Sequence, residues 1–532
     1  MIYNPQEEFD TKFKNLHLDN TNKFFDSLVA ESGVDIEENR KTVAEYDAHI
    51  DNIKKLKKKL NLWRFLRVLM IITLILIPLV ILKITPKIRA LRSEIEEADN
   101  KADSLLALAH EQMAPLCNLF TNRQSLDIIE STVPDLVFAP SFTAEQEENM
   151  IVNFDFERGG DTEISTIELL SGSYNENPFL FETHLIHTMG METYHGYKTI
   201  HWTETYRGSD GKTHTRMRSQ TLHASVTKPK PFYSHRVVLN YCAQAGDELS
   251  FTRDASRLDF DSEKEVDRYV KRGERNLKRL TDKAIKENDD FTSMSNTDFE
   301  VLFDALDRTD EVQFRTLFTP LAQTNIVDLI LSKDGYGDDF HFIKRNRTNK
   351  IITDHSQNRD LVLPASSYFS HSFDEIKEKF VSKNEKFFKD VYFDLAPALA
   401  IPVYQERPVH SLEPIPDTPH IYSVKECEAL ANCLDKAQIV HPSSKTEAIL
   451  KAASVRTQDS IDEICVSAYS YDTIPRIDFV TVFGGDGRLH SVPVPWDEYI
   501  PLVESGNFFV TTLDRATDKS ALAERGNLCI FN

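Results

Sequence analysis

The sequence predicts an α+β protein: N-terminal helices that include one transmembrane helix, then a β-rich unit, a helical unit and a small C-terminal α+β unit. Three observations lead there. An apolar run, Val68–Leu82, stands between two stretches of heptad-like repeats. Apolar and polar residues alternate from about residue 150 to 245. Beyond about residue 260 the apolar spacing returns to that of helices.

In residues 1–61, Ile36, Val43 and Ile50 interleave with Tyr46, Ile53 and Leu60 in the a/d pattern of a coiled-coil seam, with Lys57 entering at an a position. Val68–Leu82 by itself makes roughly 22 Å of helix, short of a hydrocarbon core of about 30 Å. Leu62, Trp63, Phe65, Leu66 and Ile84 extend it to about 23 residues, enough to span. The expected transmembrane helix is therefore 62–84, kinked at Pro78. Trp63, Arg64, Arg67 and Lys83 are its membrane-interface residues, because an indole suits the headgroup level and long cationic side chains snorkel to it. The run begins too late for a signal peptide. A buried helix of a soluble core is the competing reading, and Ile and Leu on every face count against it. Lys54, Lys55, Lys57, Lys58, Lys59, Arg64 and Arg67 precede the run, whereas Lys83, Lys87, Arg89 and Arg92 follow it. This bias favours a single-pass protein of the cell membrane with a cytoplasmic N-terminus and its C-terminal domain outside.

Residues 85–135 read as a helical stalk, with Ile88, Leu91, Ile95, Ala98, Ala102, Leu105 and Ala109 in 3-4 spacing behind Pro86. Stretches 36–60 and 88–109 are expected to self-associate or to bind a partner helix. Packing on the protein's own domain is the alternative for both. A further alternative has the run turning back within the bilayer, which Pro78 permits, so that the two helices pair antiparallel.

Residues 136–407 are expected to form one soluble α+β domain, β-rich over 150–245 and mainly helical over 260–400. The clearest hairpin joins Tyr197–Arg207 to Lys212–Thr227 through Gly208-Ser209-Asp210-Gly211. Pairing across that tetrapeptide puts Ile200, Trp202, Tyr206 and Met217 on one face, and His201, Thr203, His214, Arg216 and Arg218 on the other. Lys228-Pro229-Lys230-Pro231 ends the second arm, and Phe232–Tyr241 returns as a third strand. Ser262 caps a helix with an apolar stripe of Val266, Tyr269, Val270, Leu277 and Leu280. Further helices are predicted at Phe299–Leu306, Val312–Leu331 and Phe373–Leu395, with a hairpin at Asp339–Asp354. The proline-dense stretch Pro408–Pro419 marks a boundary. In the C-terminal domain, 408–532, Ser423 caps a helix through Leu434 and a second helix runs near Lys445–Ser454. Strands at Glu463–Tyr469 and Ile477–Phe483 then lead into the turn Gly484-Gly485-Asp486-Gly487.

A formal charge of −22 argues against binding nucleic acid, which calls for a basic surface. With 33 Phe the chain has ample material for cores. Its six cysteines form no CxxC pair and read as buried apolar residues. Seven histidines cluster at His184, His187, His195, His201, His214, His223 and His235. His184, His187 and His195, with Met189 and Met191 between them, are candidate ligands for a soft metal such as copper. Against this, Arg216 and Arg218 share the predicted face of His201 and His214, and cations beside a metal are unfavourable. Those four residues read instead as a candidate anion-binding face, with ordinary polar strand residues as the plain alternative.

Gly335-Tyr336-Gly337-Asp338-Asp339 resembles the Gly-Asp-Asp turn of template-dependent polymerases, but no second acidic motif accompanies it, so it reads as a turn. Gly484-Gly485-Asp486-Gly487 is similar to the signature turn of diguanylate cyclases, yet Arg488 and Leu489 follow where acidic and aromatic residues belong; it too reads as a hairpin turn. There is no GxxxxGK[ST], GxGxxG, HExxH or GxSxG pattern. No catalytic residue or cofactor is therefore expected. The function read from the sequence is a membrane-anchored binding or scaffolding module that meets the lipid bilayer. The alternatives are a membrane-anchored enzyme, hydrolytic or metal-assisted, and a histidine-dependent pH or metal sensor.

Overall fold

The computed structural model describes residues 1–72, 83–157, 161–209, 211–256, 262–287, 291–408, 421–458, 461–512 and 528–531. Helices α1 (Lys14–Ser32), α2 (Ile36–Ile72), α3 (Thr85–Cys117) and α4 (Gln124–Thr132) come first. Strand β1 (Leu136–Phe138) and helix α5 (Ala144–Phe154) lead to β2 (Ile164–Tyr174), β3 (Asn177–Arg207), β4 (Thr213–Cys242) and β5 (Ser250–Arg253). Helices α6 (Glu263–Glu287), α7 (Thr297–Phe303), α8 (Glu311–Leu317) and α9 (Pro320–Leu331) precede β6 (Phe340–Arg345), β7 (Thr348–Thr353) and helix α10 (Phe373–Leu399). Helix α11 (Val424–Asn432) and strands β8 (Ile449–Gln458), β9 (Ile461–Phe483), β10 (Leu489–Thr512) and β11 (Leu528–Phe531) complete the chain. The α+β class holds, and the chain divides into two compact units.

The helical unit comprises Asn4–Leu136 and Val362–Phe393. Gly33 ends α1 in the left-handed conformation at φ 64°, and the Asp35 side chain accepts from the Glu38 N–H to start α2. Helices α2 and α3 pair antiparallel through Leu56, Leu60, Ile84, Ile88 and Ile95, so these apolar side chains face each other within the chain. Lys57, the polar intruder in the seam, meets Asp99 at 3.4 Å. Near the base, Asn39 donates to the carbonyls of Ala109 and His371 and accepts from the Phe373 N–H. A second core gathers Phe25, Met113, Phe120, Tyr368, Phe373 and Phe380.

The expected transmembrane helix is corrected here: among the described residues no helix is long and apolar enough to cross a membrane. Helix α2 is long, but Lys54, Lys55, Lys57, Lys58, Lys59, Arg64 and Arg67 run through it. Each such cation costs about 2.5–3.5 kcal/mol at the centre of a spanning helix. Residues 73–82, which hold most of the apolar run and Pro78, lie outside the described residues. No spanning helix therefore supports a single-pass architecture, a cell-membrane location, an orientation or a bilayer-anchored function. Trp63 is partly buried against the α2–α3 core, with the Lys87 ammonium 4.6 Å from its ring centroid; Arg64, Arg67 and Lys83 are exposed on the two helices.

The second unit comprises Met1–Tyr3, Val137–Leu361 and Asp394–Asn532. It holds a seven-stranded sheet in the order β1-β2-β3-β4-β7-β6-β5 and a four-stranded sheet in the order β11-β10-β9-β8. Phe251, Phe299, Phe303, Phe314, Phe318 and Phe342 stack between β5–β6 and α7–α8, as at 4.6 Å for Phe314 and Phe318. The two hairpins β3–β4 and β9–β10 run on past their neighbouring strands as two-stranded ribbons. They pack face to face through Ile200, Leu222, Ala224, Val492 and Val494. At Gly196 the ribbons approach so closely that a Cβ would sit 2.1 Å from the Pro493 carbonyl oxygen.

The hairpin expected at Gly208 exists, but its register differs. Arg207 pairs with Thr213, leaving residues 208–212 between the strands rather than four. A shift of one residue turns the second arm over. Arg216 now pairs with Glu204 and Met217 with Thr203, so His214, Arg216 and Arg218 leave the face of His201 for that of Trp202. Likewise, β4 does not stop at Pro229 and Pro231 but continues to Cys242. The segment expected as a helix near Lys445–Ser454 contributes strand β8 instead, and the two strands expected after it are one, β9. Pro229, Pro231, Pro475, Pro493, Pro495 and Pro501 are tolerated because each is odd-numbered and pairs with an odd-numbered residue. All fall in one phase of the ladder, the phase whose N–H points away from the partner strand, so each removes a donor from the open edge and none from the ladder.

Candidate functional site

A cleft of about 380 Å³ opens in the second unit where β2, β3, the β6–β7 hairpin and α11 converge. Its floor starts with helix α11. Ser423 caps that helix by accepting from the Glu426 N–H at 3.1 Å, which sets Lys425 and Glu428, three residues apart, on one face. Lys425 donates to Glu182 Oε1 on β3 at 2.6 Å, and Asn240 of β4 donates to Glu182 Oε2 at 2.7 Å. His184 Nε2 lies 3.2 Å from Glu182. Glu428 accepts from the Thr166 N–H at 2.9 Å and meets Lys451 of β8 at 2.7 Å. A register shift in β2 between Thr166 and Glu168 frees that N–H for a side-chain partner.

Burial alone would raise the Glu182 carboxyl, but Lys425 and His184 outweigh it and hold it down to about 2. Burial likewise works to lower Lys425, and Glu182 more than offsets it, so the ammonium is raised above its ordinary value. Both groups stay charged at neutral pH. Beside this neutralised floor the cleft carries both acidic and basic side chains. Asp155, Glu157 and Asp161 line the cleft from the end of α5 and the approach to β2, and Arg345 and Lys350 line it from β6 and β7. Asp155 is engaged with Arg347 at 3.2 Å. Arg345 is steadied by the carbonyls of Phe251 and Lys344. The half-buried Lys350 ammonium has no ion-pair partner among the described residues.

Of the residues singled out in the sequence, only His184 lines this cleft. His187 Nδ1 bonds Glu163, and its ring lies 5.2 Å from Tyr233. His195 Nδ1 is 2.9 Å from His223 Nε2. The three histidines do not converge, and among the described residues no group of three or more His, Cys, Asp or Glu is placed to hold a metal ion. Arg216 and Arg218 both bond Glu204 Oε2, at 2.7 and 2.9 Å; His214 stacks on Tyr206 at 5.7 Å, and His201 lies on the opposite face. The two carboxylates of Gly335–Asp339 diverge: Asp338 pairs with the fully buried Arg253, and Asp339 bonds His355, whose ring stacks on Tyr336 at 3.7 Å. The five cysteines with described side chains are all unpaired thiols.

Among the floor residues, Glu182 comes from a place in the chain far from Lys425, Glu428 and Lys451. The one visible signal was the Lys425/Glu428 spacing on a capped helix. Compared with known proteins, the chain matches no protein family, no curated protein and no solved structure.

Proposed function

We propose that this protein is a binding module for a small zwitterionic ligand of amino-acid type, held in the cleft between β2–β3, β6–β7 and α11. The observation that carries this is one cleft lined by both acidic and basic side chains beside a floor whose charges already neutralise each other. A ligand carboxylate meets Lys350 and Arg345, and its ammonium meets Glu157 and Asp161. The volume suits a ligand of that size. Binding is favoured over proton-transfer catalysis because a general acid or base works best with a pKa near the working pH. Glu182, held at about 2, and Lys425, raised, are fixed in their charged forms.

The test is calorimetric titration of the intact chain with amino acids and dipeptides, each beside its singly charged amine and carboxylate analogues. Zwitterions should bind more tightly than either analogue. Lys350→Ala should weaken them about tenfold while leaving the unfolding temperature unchanged. Equal affinity for the analogues, or for the Lys350→Ala variant, overturns the proposal.

A further inference from the structure

A second site lies on the outer face of the β3–β4 ribbon, independent of the cleft. In the observed register the odd-numbered residues of both arms share this face, among them His195 and Tyr197 from β3 and His223 and Ser225 from β4. Arg216 and Arg218 are even-numbered and turned to the other face with Glu204. The cations that opposed a metal in the predicted register are therefore absent from the face that carries His195.

His195 Nδ1 and His223 Nε2 stand 2.9 Å apart, with ring centroids 5.0 Å apart and both side chains exposed. Neither ring meets a carboxylate among the described residues. Threonine pairs on either side, Thr193 with Thr227 at 3.0 Å and Thr199 with Thr221 at 3.1 Å, tie the two strands and hold the rings in place. Two imidazole nitrogens facing each other share one proton between two lone pairs, and protonating both would bring like charges into contact. Nitrogens bound ~2.0–2.1 Å from one ion at a right angle are themselves about 2.9 Å apart, whereas tetrahedral ligands stand about 3.3–3.4 Å apart. The observed separation is that of a hydrogen bond between the rings, and it is also the spacing that a right-angled pair of ligands requires.

We infer that His195 and His223 are cis ligands of one divalent late transition ion, Cu²⁺ or Ni²⁺, with water completing a square-planar or tetragonal set. Binding requires a small swing of both rings and a move of the bridging proton to the far nitrogen of its own ring. Two protein ligands make a site of modest affinity, strengthened by the ribbon that holds them at the right spacing. The ordering of divalent ions places Cu²⁺ ahead of Ni²⁺.

The experiment is titration of the full chain with Cu²⁺ in competition with glycine, read by visible absorbance and by the nitrogen hyperfine pattern in electron paramagnetic resonance. The variants are His195→Gln and His223→Gln, with His201→Gln, on the same face but away from the pair, as the control. Circular dichroism checks the fold of each. The intact chain should show one site with two-nitrogen coupling that binds Cu²⁺ at least about tenfold more tightly than either variant of the pair, with Ni²⁺ next and His201→Gln unchanged. Equal binding by both variants, equal weakening in His201→Gln, or tighter binding of Zn²⁺ than of Cu²⁺ overturns the assignment.

Discussion

His17 is buried in the helical unit with its ring stacked on Phe388 at 4.2 Å, and its Nε2 has no hydrogen-bond partner among the described residues. Burial pulls its pKa down to about 3. The folded ring is therefore neutral, while the unfolded chain takes up a proton below the ordinary 6.5. Stability from this group is full above about pH 6.5 and is lost as pH falls from there toward 3. His17→Phe keeps the stacking and removes the unpaired nitrogen. It should raise stability at pH 7 by about 1 kcal/mol, and the gain over the parent should grow at pH 5. Urea midpoints at the two pH values decide; a constant difference contradicts the assignment. At this scale little was legible in the sequence. His17 shows no spacing that marks it as buried, and Glu182 finds Lys425 only because β3 and α11 meet in space.

The ribbons show which elements could be read and which could not. Alternation and the glycine-rich turns at 208–211 and 484–487 located both hairpins, because tight turns need residues that tolerate left-handed backbone. The register of the first hairpin depends on a single residue of loop length, which composition does not determine. Prolines at 229 and 231 look like strand terminators until the phase of pairing is known. Strand β8 reads as a helix in the sequence because Ala452 and Ala453 carry no alternating pattern. The transmembrane reading rested on an apolar run whose flanking cations belong to a helix pairing with its neighbour. Ribbon packing predicts that Gly196→Ala, whose Cβ meets the Pro493 carbonyl, destabilises the protein by about 1–3 kcal/mol. Gly506→Ala has no described atom within 4 Å of the new Cβ and should cost far less. Thermal unfolding followed by tryptophan emission compares them; equal effects would mean that the ribbons do not meet at Gly196.

Across the whole molecule each unit is assembled from separated stretches of chain. Ile2 exchanges hydrogen bonds with the buried Gln405 side chain, at 2.7 Å in both directions, and Asn325 donates to the Tyr3 carbonyl. The first residues thus join a unit whose strands begin more than a hundred residues later. Such non-local closure predicts slow folding. Gln405→Ala leaves the Ile2 amide and carbonyl and the Leu399 carbonyl without this partner, and should cost about 2–3 kcal/mol. Deleting Ile2 and Tyr3 should cost a similar amount, and the two changes together less than their sum. Urea unfolding tests this, and strict additivity would refute it. The one-phase prolines of the ribbons have a consequence at higher concentration. Templated fibre growth requires each strand to offer the next an uninterrupted row of amide donors, and these edges are broken at every proline. Crowded copies of this protein should therefore stay separate particles, and replacing Pro493 and Pro495 with Thr would open a route to nucleated aggregation.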